Sequence, residues 1–239
     1  MPLGVPLVAV TFPPERDDDD DTNLIVWIDL FDALYESKFL FLCRDIDSEI
    51  TNQLVTLFMY LNGKETSTDY TFFINSPGGW VTSGLTIYNA MRGVASDVRT
   101  ICIGIAASMA SFLLATGAGF KRYAFPHARV MIHQPHAHLS TTDDDYDDDY
   151  DDDYGDDDDV PINDLESLFI EVDELTFIQE TIAKIYVKNT GQPLETILAD
   201  LERDFYMSAT EAQAYGIVDY VVKNRKEKEV KNRKEKEKK

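Results

Sequence analysis

Ser108 sits between the small residues Ala106 and Ala107 and the apolar run Met109-Ala110-Ser111-Phe112-Leu113-Leu114. That setting suits a nucleophile presented at the start of a helix. A serine hydroxyl is a poor nucleophile near neutral pH until an imidazole accepts its proton, and the imidazolium so formed needs an anion beside it. Met131-Ile132-His133-Gln134-Pro135 can supply the base, and Glu202-Arg203-Asp204-Phe205 the carboxylate. Ser76-Pro77-Gly78-Gly79 can supply backbone donors to a developing oxyanion, as can Met109 N–H at the positive end of a helix starting at Ser108. The reaction class is acyl transfer, with hydrolysis as its simplest outcome.

Each of these residues has a plainer reading when taken alone. Most serines before a helix are caps, a Pro-Gly-Gly turn is usually just a turn, and a histidine closing an apolar strand is commonly a core residue. His127, His136 and His138 are rivals for the base, and His136 with His138 beside aspartates is a weak metal-ligand pair without a regularly spaced third ligand. Asp204 within Glu202-Arg203-Asp204 reads by itself as a surface charge or cap.

The elements that must position these groups follow from hydrophobic spacing. Leu24 to Leu34 and Ser48 to Asn62 have helical spacing, as do Thr82 to Val94 and Ser108 to Ala115. Phe39 to Cys43, Asp69 to Ile74 and Val98 to Ile103 read as strands. Strands alternating with helices imply an α/β domain with parallel pairing. From Asn163 the stripe Leu165, Leu168, Val172, Leu175, Ile178, Ile182 and Ile185 predicts a long amphipathic helix, with Asn163 and Glu166 as a capping box and Gly191 as its stop.

From about Ile46 to Tyr220 the chain resembles the Clp protease proteolytic subunit family, the ClpP serine peptidases. The resemblance rests on FINSPGG at 73–79, AASM at 106–109, RVMIHQP at 129–135 and ERDFYMSATEAQAYGIVD at 202–219. It implies a crotonase-like α/β fold with a protruding handle helix. It also implies a catalytic triad of Ser108, His133 and Asp204, with an oxyanion hole made by the backbone N–H groups of Gly79 and Met109. The expected activity is endoproteolysis of unfolded polypeptides. In the family the subunits form two heptameric rings stacked as a tetradecamer, uniform or mixed in composition, facing each other through the handle and fed by an ATP-driven Clp chaperone. The chain carries no GxxxxGK[ST] loop, so ATP is expected to be used by that partner and no cofactor is expected here. Gly93 and Thr71 depart from the larger apolar and aromatic residues common where the chaperone's loop docks, and Ala110 replaces a common glycine. Met1-Pro2-Leu3-Gly4-Val5-Pro6 resembles the plastid-encoded branch, which implies a chloroplast stromal location. The competing readings are a noncatalytic ring subunit of the same family and an acyl-CoA enzyme of the crotonase class.

At 239 residues the chain can bury one substantial core. Its net charge of −22 is uneven: Asp143 to Asp159 contributes −13, Asp17 to Asp21 contributes −5 and the tail from Lys223 contributes +6, leaving −10 for the rest. That balance argues against nucleic acid as a partner. Residues 1–23, with four prolines and the aspartate run, read as a mobile arm, 24–222 as the peptidase domain, and 223–239 as a basic tail. The 143–159 insertion repeats Asp-Asp-Asp-Tyr and reads as disordered, while the tail repeats VKNRKEKE twice. Cys43 and Cys102 are too few for a disulfide scaffold and fit a reducing compartment. No run approaches a membrane span, and the first 25 residues do not read as a signal or transit peptide.

Overall fold

The computed structural model describes residues 6–12, 24–64, 68–136, 139–140, 160–161 and 165–222. The acidic insertion 143–159, the aspartate run 17–21, the basic tail 223–239, His138 and Asn163 lie outside the described residues.

Strand β1 (Leu7–Phe12) pairs antiparallel with β2 (Leu24–Asp29), and α1 (Leu30–Glu36) follows directly. The single helix expected over 24–34 is therefore half strand. Ile25, Val26, Trp27 and Ile28 are β-branched or aromatic, which favours a pleated surface. Asp29 then accepts a hydrogen bond from Phe31 N–H at 2.7 Å, so the helix begins only at its cap.

The body is a seven-stranded sheet. Strands β3 (Phe39–Leu42), β4 (Tyr70–Ser76) and β5 (Val98–Ala107) run parallel, connected by α2 (Ser48–Asn62) and α3 (Val81–Gly93). Helix α2 starts where Asp47 accepts from Ile50 N–H at 2.8 Å, and it buries Thr51, Leu54, Phe58 and Leu61, a single helical face. Strand β5 pairs along its first half with β6 (Arg122–Ala124) and along its last residues with β7 (Arg129–Ile132), both parallel. Helix α4 (Met109–Ala115) leaves the end of β5 and is buried throughout.

The short strands β8 (Leu139–Ser140) and β9 (Val160–Pro161) pair with each other on either side of the insertion. Helix α5 (Leu165–Thr190) is the long helix expected from the stripe, and Gly191 ends it at φ 78°. Burial changes along this helix, with the stripe residue Ile182 buried and the stripe residue Val172 exposed. Ile182, Ala183 and Tyr186 are buried in the core, whereas Phe169, Ile170, Val172 and Phe177 are exposed. Helix α6 (Leu194–Leu201), strand β10 (Phe205–Ser208), helix α7 (Ala209–Tyr215) and strand β11 (Tyr220–Val221) complete the chain. Strand β10 pairs antiparallel with β7, and β11 pairs with β6. The architecture is the mixed α/β, mostly parallel fold expected.

Arg122 locks the closing segment to this body. It is 8% exposed, forms a two-pronged contact with Asp219 through Nε at 3.0 Å and Nη2 at 2.6 Å, and donates through Nη1 to the carbonyls of Ala115, Asn189 and Gly216.

Candidate active site

Four neighbouring strands meet at one edge of the sheet, in the order β10, β7, β5, β4. Ser108 directly follows β5 and His133 directly follows β7. Because β10 runs antiparallel with Phe205 opposite Ile132, the residue before it, Asp204, falls opposite His133. Ser76 at the end of β4 pairs with Ala106, which brings Gly78 and Gly79 to the other flank of Ser108. Residues separated by more than 120 positions are thus delivered to one place by strand register alone. The C-terminal edge of parallel strands is where open α/β sheets hold their ligands.

His133 Nε2 lies 2.9 Å from Ser108 Oγ, and Nδ1 lies 3.0 Å from Asp204 Oδ1. With Nδ1–H donating to the carboxylate, Nε2 is left to accept the serine proton. The side chain of Asp204 is 59% exposed and that of His133 22% exposed in the isolated subunit. Gln134 N–H donates to Leu201 O at 2.7 Å, and Gln179 of α5 donates through Nε2 to Gln134 Oε1 at 3.1 Å, which ties down the chain just after the histidine.

Ser108 has φ 52° and ψ −128°, a sharp reversal between strand and helix that few non-glycine residues adopt. Its N–H donates to Met131 O at 3.0 Å, and its carbonyl accepts from Ser111 and Phe112 N–H at 3.0 and 3.2 Å. Met109 N–H belongs to the first turn of α4, where backbone donors have no acceptor within the helix. Gly78 has φ 106°, and a Cβ placed there would lie 2.6 Å from Ser108 Cβ and 3.2 Å from Met109 N. Gly79, at φ 150°, sits against the backbone of Ile46, whose N–H donates to Gly78 O at 2.8 Å and whose carbonyl accepts from Trp80 N–H at 3.0 Å. The two glycines let backbone come close to the serine on one side and to a bridging strand residue on the other. An acyl carbonyl attacked by Ser108 would have backbone donors from two directions.

Beside the serine is a small, half-open cleft lined by Val81, Ser108, Met109, Phe112, His133, Pro135, Ile182 and Tyr186. Its walls are mainly apolar. The helix stripe marks Ile182 without placing it here, and nothing in the local sequence singles out Tyr186. The only signal for Ser111 was a lone hydroxyl inside an apolar helix, one turn from Ser108. Of the rival histidines, His136 packs its ring on His133 with centroids 4.9 Å apart. Among the described residues no cluster of His, Cys, Asp and Glu could hold a metal ion. Thr71, expected near a docking surface, is buried at 7% exposure, and a Cβ added at Gly93 would meet nothing within 4 Å.

The family model described as Clp protease matches residues 21–151 and 162–225. Similar proteins include the chloroplastic ATP-dependent Clp protease proteolytic subunit 1 of Arabidopsis thaliana, 46% identical over 92% of this chain and 98% of its own length. The ATP-dependent Clp protease proteolytic subunits of Lepidium virginicum and Glycine max are 45% and 46% identical, each over 92% of this chain and 98% of theirs. With its whole sheet and the strand ends around Ser108 inside the matched regions, the chain belongs to the Clp protease family.

Proposed function

We propose that the protein is the proteolytic subunit of an ATP-dependent Clp protease, a serine endopeptidase that cuts unfolded polypeptides into short peptides. Ser108 Oγ attacks the peptide carbonyl while His133 Nε2 takes its proton. Asp204 holds the imidazole in the tautomer that can do so and stabilises its charged form. Gly79 and Met109 N–H bind the oxyanion. His133 then protonates the leaving amine, and water repeats the sequence to release the acyl-enzyme. The observation that carries this reading is the continuous Ser108–His133–Asp204 contact, at 2.9 and 3.0 Å, in a member of a protease family.

Several features support the assembly side of the proposal. The relatives are named as ATP-dependent, while this chain lacks a phosphate-binding GxxxxGK[ST] loop, so a separate Clp ATPase supplies the energy and the substrate. The exposed Phe169, Ile170, Val172 and Phe177 on α5 suit a helix that meets its counterpart across two stacked heptameric rings. The chloroplastic relative from Arabidopsis thaliana supports a plastid location, for which we propose the stroma as the compartment. No described helix is long and apolar enough to cross a membrane.

The test is hydrolysis of a fluorogenic peptide by the assembled protein, and of casein when a Clp ATPase and ATP are added. Ser108→Ala should lower peptide turnover by about 10⁴-fold or more without changing assembly. Undiminished turnover by that variant would overturn the assignment, and an inactive wild type in intact rings would instead favour a noncatalytic ring subunit.

A further inference from the structure

Behind the nucleophile lies a polar contact in an otherwise apolar region. Ser111 is wholly buried, and its hydroxyl donates to the carbonyl of Ser108 at 2.6 Å. A serine hydroxyl has one proton, so the remaining partner of Ser111 Oγ, the Tyr186 hydroxyl at 2.9 Å, must be the donor in that contact. Tyr186 is 2% exposed, and its ring stands edge-on against Phe112 at 5.8 Å. Burial pushes its phenol well above the usual range, which keeps the proton needed for donation. The direction of the chain of hydrogen bonds is therefore fixed, from Tyr186 O–H to Ser111 O–H to Ser108 C=O.

The carbonyl at the end of this relay belongs to the residue with φ 52°. A peptide unit held in a sparsely populated conformation persists only when its surroundings over-determine it. The two α4 N–H groups that also bond Ser108 O would be present in any helix starting there. The Ser111–Tyr186 pair is the additional restraint, and it reaches from α5, the helix that exposes Phe169, Ile170, Val172 and Phe177 nearer its start.

We propose that Tyr186 and Ser111 are a positioning pair that holds the Ser108 peptide in its attacking orientation and so ties the nucleophile to helix α5. The pair acts through the Ser108 carbonyl, to which its hydrogen bonds lead, and the proposal rests on Ser108 being the nucleophile. Tyr186→Phe removes one hydroxyl and keeps the ring, so the cleft wall and the Phe112 contact stay as they are. Its effect should appear in kcat and not in KM.

The experiment compares wild type, Tyr186→Phe, Ser111→Ala, the double variant and Ser108→Ala, each checked for assembly by sedimentation. Steady-state hydrolysis of a fluorogenic peptide and the rate of acylation by a fluorophosphonate are both followed against pH. Tyr186→Phe should lower kcat and the acylation rate together by about 5-fold, the equivalent of one net hydrogen bond, with KM and the pH midpoint unchanged. Ser111→Ala should lose at least as much, and the double variant no more than Ser111→Ala alone, because both act through one acceptor. Should Ser111→Ala fail to assemble, Tyr186→Phe decides the matter alone. Wild-type kcat in Tyr186→Phe, a loss confined to KM, or a shifted pH midpoint would overturn the positioning role. If Ser108→Ala reacted as fast as wild type, the nucleophile assignment itself would fall, which is a separate result.

Discussion

Gly78→Ala should damage catalysis far more than it damages the fold. The new Cβ would lie 2.6 Å from Ser108 Cβ, 2.8 Å from Ala107 O and 3.2 Å from Met109 N. Carbon atoms in contact normally stand about 3.5–4.0 Å apart, so the serine and the inserted methyl must separate by roughly 1 Å. Neither side can yield freely. Ala107 is paired to Met131 in the sheet, and Gly78 O is bonded to Ile46 N–H at 2.8 Å. Residue 78 also has φ 106°, where a side chain costs about 1–3 kcal/mol. A misplacement of about 1 Å at a reacting group lowers rate on the order of 10²-fold. Peptide hydrolysis should therefore fall by about that factor, with an unfolding free energy lowered by only about 1–3 kcal/mol. Gly93→Ala is the control, since nothing lies within 4 Å of a Cβ there. It should keep wild-type turnover, with stability unchanged or raised by up to about 1 kcal/mol. A Gly78→Ala protein with turnover within about threefold of wild type would mean that the serine tolerates the intrusion and that Gly78 is not needed for its placement.

Asp204→Asn should lower kcat by about 10³–10⁴-fold, because the amide favours the tautomer with Nε2 protonated; turnover within tenfold of wild type would remove Asp204 from the site. Iodoacetamide should modify exposed Cys43 in the native protein and leave Cys102 untouched, because burial pushes the Cys102 thiol up to about 12; peptide mapping reads the outcome. Arg122→Ala should destabilise the subunit by about 3–5 kcal/mol in denaturant unfolding, as it strands Asp219 and three carbonyls in a largely buried site; a loss below about 1 kcal/mol would mean the pair is not structural.

Motifs and helices with one buried face were readable from residues alone. Helix α2 ends at Asn62 as its spacing indicates, and α4 begins just after Ser108. What pattern could not supply was long-range pairing. Leu24 to Asp29 has spacing compatible with a helix, and its β-branched and aromatic residues become a strand by pairing with Leu7–Phe12. Strand β5 extends to Ala107 although the apolar run breaks at Gly104. That glycine makes room for Asn75, whose Oδ1 accepts from Ile105 N–H at 3.1 Å where the register shifts. The candidate triad could be named from local motifs. The opposition of Asp204 to His133 follows only from the β7–β10 register, and the Tyr186–Ser111 contact spans 75 positions, with a lone hydroxyl in an apolar helix as the one local mark at Ser111 and none at Tyr186.

Activation of Ser108 by His133 can be read by covalent labelling without any chaperone or natural substrate. A fluorophosphonate should modify the assembled protein at one residue, identified as Ser108 by peptide mass spectrometry, and His133→Ala should abolish the modification while leaving assembly intact. Modification at another serine, or equal labelling of the His133→Ala protein, would contradict the account.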